Sequence, residues 1–331
     1  MRRLLSFALA AMLLLSLFAC GEENRKETES EATAAITESA TQTDDPTEKQ
    51  TKGNHEVISL SFIKTFDQNP SIEEQVIHEK ENLSITAKSI RYDTVHGPQI
   101  MLAIQNKTEN DLLIQNDYTS VNGFMIKPEI DIKVPAKKKA ESPMSLPYLN
   151  LAMAGIHSLS EVRFSLRILD SKTFSVIDTT EPVSLKLLNT AKKKATFDTS
   201  GQLAYNSNGV KIILQGLKKD TLFESENVLM VYMENHTNKI ACIKNNKLTV
   251  NGYELTVSMS TVILPGMKAV DKIELYDQDL EEYGITAIDA VNASFEIYDY
   301  EKWKLVAKSD TVSVELPTEA PTEDATASTE K

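Results

Sequence analysis

The chain has 331 residues, 48 acidic against 35 basic side chains and a formal charge of −13. That balance excludes nucleic acid as a partner, whose binding rests on Lys and Arg neutralising phosphates, and it excludes flat adsorption on anionic lipid. A hydrophobic content of 41% is enough for globular cores, and with only two cysteines those cores have to hold the fold.

The first residues have the three parts of a secretory leader. Arg2 and Arg3 are its basic start, Leu4 to Phe18 its apolar run, and Ala19 the small residue before Cys20. The run is shorter than the ~20 residues a helix needs to cross a bilayer, and no later stretch is long enough either. Leu17-Phe18-Ala19-Cys20 resembles a bacterial lipobox, with Phe18 bulkier than the usual residue there. The resemblance implies cleavage before Cys20, a diacylglyceryl group on its thiol, and an extracytoplasmic protein anchored to the bacterial cell membrane. Residues 1–19 are then the signal peptide.

Residues 20–53 are rich in Glu, Thr, Ser and Ala, with Ile36 their only large aliphatic. Such a composition buries too little apolar surface to offset its ordering entropy and predicts a disordered acidic tether. Residues 317–331 read the same way, as a disordered tail.

Between these ends the chain repeats itself. At an offset of ~129 residues, Asn106-Lys107-Thr108 recurs as Asn235-His236-Thr237, and Val121-Asn122-Gly123-Phe124 as Val250-Asn251-Gly252-Tyr253. Gly155-Ile156 recurs as Gly284-Ile285, and Val183 to Leu187 as Val312 to Leu316. Upstream, Gln75-Val76 matches Gln202-Leu203 at a slightly shorter offset. The expectation is two copies of one domain, 54–190 and 195–316.

Within each copy the apolar period is two. Leu83 to Ala87, Val210 to Leu214, Arg163 to Leu169 and Ser294 to Tyr298 alternate, while Ile100 to Ile104 and Val228 to Met233 read as more deeply buried strands. Asn122-Gly123 and Asn251-Gly252 lie between apolar runs and predict type I′ hairpin turns, which require positive φ twice. About seven short strands per copy predict an all-β chain of two tandem immunoglobulin-like β-sandwiches. Two short helices are expected: one from the capping-box spacing of Ser71-Ile72-Glu73-Glu74, the other over Asp277 to Tyr283, ended by Gly284.

Lipobox, acidic tether and tandem sandwich together resemble the cell-surface lipoproteins of bacteria, Gram-positive anaerobes in particular. The repeats lack the paired cysteines and intervening tryptophan of antibody domains; Trp303 stands near a late strand, at the position matched by Phe174. The resemblance implies architecture and location and carries no substrate or catalytic residue.

Nothing in the sequence points to catalysis. The five histidines, His55, His78, His96, His157 and His236, have no zinc-ligand spacing, and there is no nucleophile elbow or phosphate loop. Asp277, Asp279, Glu281 and Glu282 read as a solvated helix face rather than a calcium site. Lys137 to Lys139 and Lys192 to Lys194 read as a loop and a linker, and Cys242 as a small buried hydrophobe. Among Phe295, Tyr298, Tyr300 and Trp303, alternation places Phe295 and Tyr298 on opposite faces, which leaves part of the group for a carbohydrate platform. The expectation is a non-enzymatic surface protein without metal or cofactor. It would bind the membrane through Cys20 and recognise an envelope protein or glycan. The alternative is a small-ligand or glycan-binding lipoprotein serving a transporter.

Overall fold

Alternation becomes strand wherever one side chain in two can be buried. The computed structural model describes residues 62–190, 197–219, 227–314 and 316. After one helical turn at 62–65 (α1), the chain runs through β1 (Ser71–Ile72), β2 (Gln75–Lys80), β3 (Leu83–Asp93), β4 (Gly97–Asn106), β5 (Leu112–Val121), β6 (Phe124–Met125), β7 (Asp131–Val134) and β8 (Lys139–Ser145). Then come α2 (Tyr148–Met153), β9 (Val162–Asp170), β10 (Val176–Thr179), β11 (Val183–Ser184) and β12 (Leu187–Leu188). The order then recurs as β13 (Gln202–Ser207), β14 (Val210–Lys219), β15 (Asn227–Asn235), β16 (Ala241–Val250), β17 (Tyr253–Glu254), β18 (Ser260–Ile263), β19 (Lys268–Leu275), α3 (Asp277–Glu282), β20 (Val291–Asp299), β21 (Lys304–Lys308) and β22 (Val312–Val314). Element by element, β13 to β22 repeat β2 to β11. The protein is all-β, of sandwich type.

In the first copy the sheet β2-β3-β4-β8 faces one built on β5 and β9. Ile85, Ile100, Leu102 and Ile104 from one side meet Leu112, Ile114, Phe164 and Leu166 from the other. In the second, Ile212, Leu229, Val231 and Ile273 meet Ile243, Leu248, Phe295 and Ile297. Each repeated series holds ten strand segments rather than about seven, because two rows are broken. Residues 126–130, which include Pro128, split β6 from β7, and the segment holding Pro182, which has no N–H to donate, splits β10 from β11.

One expected helix is a strand. Ser71 and Ile72 pair with Leu188 and Leu187, and Ile72 is buried in the first core. Burying Ile72 against a partner strand outweighs a local capping signal. The second expected helix is α3, followed by Gly284 at φ +68°.

The copies are not beads on a string. All the described residues fall in one compact unit, and a single ten-stranded sheet crosses from one copy to the other. The crossing is β6 lying parallel to β19, Phe124 opposite Lys268 and Met125 opposite Ala269. Around it Phe124, Phe197 and Tyr232 form a ring cluster with centroids 5.0 to 6.5 Å apart.

Candidate functional site: an exposed sheet edge in each copy

The turn from β9 to β10 is wound around Asp170. Its Oδ1 accepts the backbone N–H groups of Lys172 and Thr173 at 3.0 and 2.9 Å, and those two bonds hold its carboxyl below the usual carboxylate range. Phe174 N–H closes back on Asp170 O at 2.9 Å. This winding leaves Phe174 at φ +57°, and in the second copy Trp303 stands at φ +48° in the matching place. Positive φ is uncommon for a bulky side chain and costs on the order of 1 kcal/mol or more. Both copies nevertheless hold an aromatic ring there, 64% exposed for Phe174 and 55% for Trp303.

The strands that follow, β10 and β21, are the last in their sheets. Each carries one bulge at the same position: the register skips Ile177 in β10 and Val306 in β21. A bulge re-aims side chains, and here two adjacent aliphatics are exposed in each copy, Val176 with Ile177 and Leu305 with Val306. With the two rings, they make six of the 14 large apolar side chains left exposed among the described residues. Edges are normally blunted with charge or proline; these carry Asp178 in β10 and Lys304 and Lys308 in β21, and each keeps apolar surface beside the charge.

The copies differ in what lies behind the edge. In the first, Lys80 reaches across from β2 to Asp178 at 2.6 Å, with His78 Nε2 3.3 Å from the same carboxylate. Burial opposes ionisation of Asp178, but Lys80 prevails and its pKa is lowered. Burial holds the pKa of His78 down. In the second copy the matching residues are Tyr205, Ser207 and Ala307, so that clamp is missing. Instead Tyr298 stacks on Trp303 (5.5 Å, 20°), Tyr300 meets Trp303 edge-on (6.1 Å, 74°), and Lys244 Nζ stands 5.3 Å from the Trp303 centroid. Glu296 ties the patch down, accepting from the Tyr298 hydroxyl at 2.5 Å and from Lys308 at 2.6 Å; both bonds lower its pKa. Rings, aliphatics and lysines supply contact area and charge.

A second concavity lies where the copies meet. Tyr118, Ser120 and Arg163 of the first and Asn238, Leu264, Met267 and Glu301 of the second line a cleft of about 310 Å³, at the lower end of ligand-pocket sizes.

The residues singled out in the sequence are placed as follows. Cys20 and the preceding Leu17, Phe18 and Ala19 lie outside the described residues, as do Lys192 to Lys194. Asn122 and Gly123 join β5 to β6 at φ +52° and +85°, and Asn251 and Gly252 join β16 to β17 at +50° and +88°. Their asparagines do more than turn. Asn122 Oδ1 accepts Ser160 N–H, Glu161 N–H and the Ser160 hydroxyl, and Nδ2 donates to Ser158 O. Asn251 makes the matching bonds to Asp289 N–H, Ala290 N–H and Ala287 O. Phe295 is fully buried, while Tyr298 lies on the outer face. Cys242 is buried with Sγ 3.5 Å from Ser260 Oγ. Among the described residues no group of three or more His, Cys, Asp and Glu is arranged to hold a metal ion, and no helix is long and apolar enough to cross a membrane. Sequence reasoning missed the exposed edge; its signal was Val176-Ile177 and Leu305-Val306, adjacent aliphatics that break the alternation at one offset.

No family model matches the chain, and no curated protein matches it in sequence. Matches among solved structures include the YadV chaperone, at 11% identity over 65% of this chain and 92% of that one, TM-score 0.22. Another is a protein of unknown function from Porphyromonas gingivalis, at 13% over 75% and 100%, TM-score 0.19. A third is the CsuC–CsuE chaperone–tip adhesion subunit complex of Acinetobacter baumannii, at 12% over 66% and 92%, TM-score 0.19. At these scores the likeness adds nothing to what the strands themselves show.

Proposed function

We propose that this chain is a non-enzymatic, lipid-anchored extracytoplasmic protein that recognises a protein or envelope partner through the exposed edges of its sandwiches. The observation that carries the recognition half is the pair of matching edges, each an aromatic ring at positive φ followed by two exposed aliphatics. The anchoring half is supported by Leu17-Phe18-Ala19-Cys20 at the end of an apolar run. Two or more acyl chains give stable anchoring, each buried methylene contributing ~0.8 kcal/mol.

Two measurements test it. Cys20→Ser should move the protein from the membrane to the soluble fraction; unchanged fractionation disposes of the anchor. Phe174→Ser with Trp303→Ser should abolish crosslinking to envelope components while leaving the melting temperature near wild type. If the double variant crosslinks as well as wild type, recognition lies elsewhere. The cleft between the copies favours a second reading, a small polar ligand or glycan held near Arg163 and Glu301. A compound that raises the melting temperature of wild type and leaves that of Arg163→Ala unmoved would support it, since a ligand selective for the native state stabilises it.

A further inference from the structure

We infer that the edge of β21 takes an extended, carboxylate-bearing polypeptide segment as an added strand; this rests on the edge-recognition reading above. An outer strand presents a row of unpaired N–H and C=O groups, a template for another strand. At β10 the salt bridge from Lys80 to Asp178 ties the edge to the opposite sheet. At β21 the matching residues are Ser207 and Ala307, which cannot form it.

The molecule already uses this mode of contact. At the joint between the copies a two-residue strand led by an aromatic, Phe124-Met125, adds to the edge of β19, with Lys268 Nζ 5.8 Å from the Phe124 ring centre. β21 offers the same chemistry: an aromatic ring, Trp303, with Lys244 beside it, followed by a strand with no neighbour on its outer side among the described residues.

Charge narrows the occupant. Lys302 and Lys304 stand on the β20–β21 hairpin with Lys244 across the sheet, against one carboxylate in its turn, Glu301, while Lys308 is paired with Glu296, in a chain of net charge −13. A second copy pairing antiparallel through β21 and centred on Val306 would set Lys304 opposite the other copy's Lys308, and like charges on paired strands destabilise them. A segment alternating aliphatics with carboxylates answers both the apolar side chains and the lysines. A sugar ring stacked on Trp303 would leave the backbone groups of β21 unpaired.

Trp303 is the only tryptophan in the chain, so its emission reports this site. The full chain in detergent micelles would be titrated with a peptide of roughly ten residues, an ordinary strand length, alternating Val and Glu. A Val and Lys peptide and polygalacturonate serve as the other arms. We expect the Val and Glu peptide alone to shift Trp303 emission and to slow amide exchange in β21. Val306→Pro, at the bulge where proline is tolerated, should weaken binding at least about tenfold, ~1.4 kcal/mol, without changing the melting temperature. Unchanged emission and exchange with that peptide, or equal binding by Val306→Pro, overturns the added strand. If polygalacturonate alone shifts the emission, the edge still recognises a partner and only the strand assignment falls. If no probe acts, both readings fall.

Discussion

Phe197 lies flat against Tyr232, ring centroids 5.0 Å apart and planes 21° apart, and this stack sits where the second copy meets the first. Tyr232 is fully buried although it faces away from its own core, because Phe124 and Phe197 cover it. A shared apolar joint plus a continuous sheet should make the copies unfold together. Tyr232→Ala should cost about 3–5 kcal/mol and split one calorimetric transition into two. Tyr232→Phe loses only the 2.5 Å hydrogen bond to Glu234, about 1 kcal/mol, and should keep a single transition. Two transitions in wild type would mean the joint does not couple the copies.

The asparagines of the Asn-Gly turns act as staples. Asn122→Ala removes four side-chain hydrogen bonds and places alanine at φ +52°, which costs roughly 1–2 kcal/mol by itself. Water can pair the N–H groups of Ser160 and Glu161, which are exposed, so the lost hydrogen bonds add only about 1 kcal/mol, and a loss of about 2–3 kcal/mol is expected. Asn122→Asp keeps the acceptor and tolerates positive φ, so urea denaturation should find it much closer to wild type. Asn251 should behave in parallel, with a slightly smaller loss, since it makes three of the four bonds and Asp289 has no hydroxyl to supply the fourth.

Two aspartates predict opposite pH dependences. Asp93 accepts the His96 and Val95 N–H groups at 2.9 Å, and these bonds hold its pKa at about 2. Its contribution is present above the usual carboxylate range and is lost as pH falls through about 2. Asp93→Ala should therefore be less stable than wild type near neutrality and equal to it near pH 2. Asp271 is the reverse case: burial raises its pKa, against the hydrogen bond from the Thr261 hydroxyl and the charge of Lys127. Its contribution is full below the carboxylate range and is lost as pH rises through the elevated pKa. Asp271→Asn should raise the melting temperature near neutrality and change little in acid.

Much of the fold was legible because alternation and repetition are local properties of the chain. Leu83, Ile85 and Ala87 alternate since one face of β3 is core. Asn106-Lys107-Thr108 recurs because the asparagine amide ties the same two loops in both copies, Asn106 to Val134 O and Asn235 to Ile263 O. Gly97 is fixed by its surroundings: a Cβ there would stand 2.2 Å from Leu146 O. The joint was hidden because nothing local specifies it. Val228 to Met233 reads as a buried strand without saying that one face is core and the other a contact with the first copy. Comparing the copies would have shown it, since Tyr232, Ile213 and Val270 stand where the first copy has Ala103, Thr86 and Glu141. The edge was hidden for a similar reason, since exposed aliphatics look like core ones until the strand order is known.

The strained rings at the two edges test whether stability has been given up for recognition. Phe174 lies at φ +57° and Trp303 at φ +48°, a region where asparagine is far less strained than an aromatic. Phe174 is 64% exposed, so replacing it removes little burial. Phe174→Asn should raise stability by about 1 kcal/mol, a few degrees in melting temperature. Trp303→Asn relieves the same strain but loses the stack on Tyr298, worth about 0.5–1.5 kcal/mol, and should come out near neutral. Both substitutions should lower crosslinking to the partner. A clear drop in melting temperature for Phe174→Asn would mean that the ring supports the fold, and the strain argument for recognition at that edge would fail.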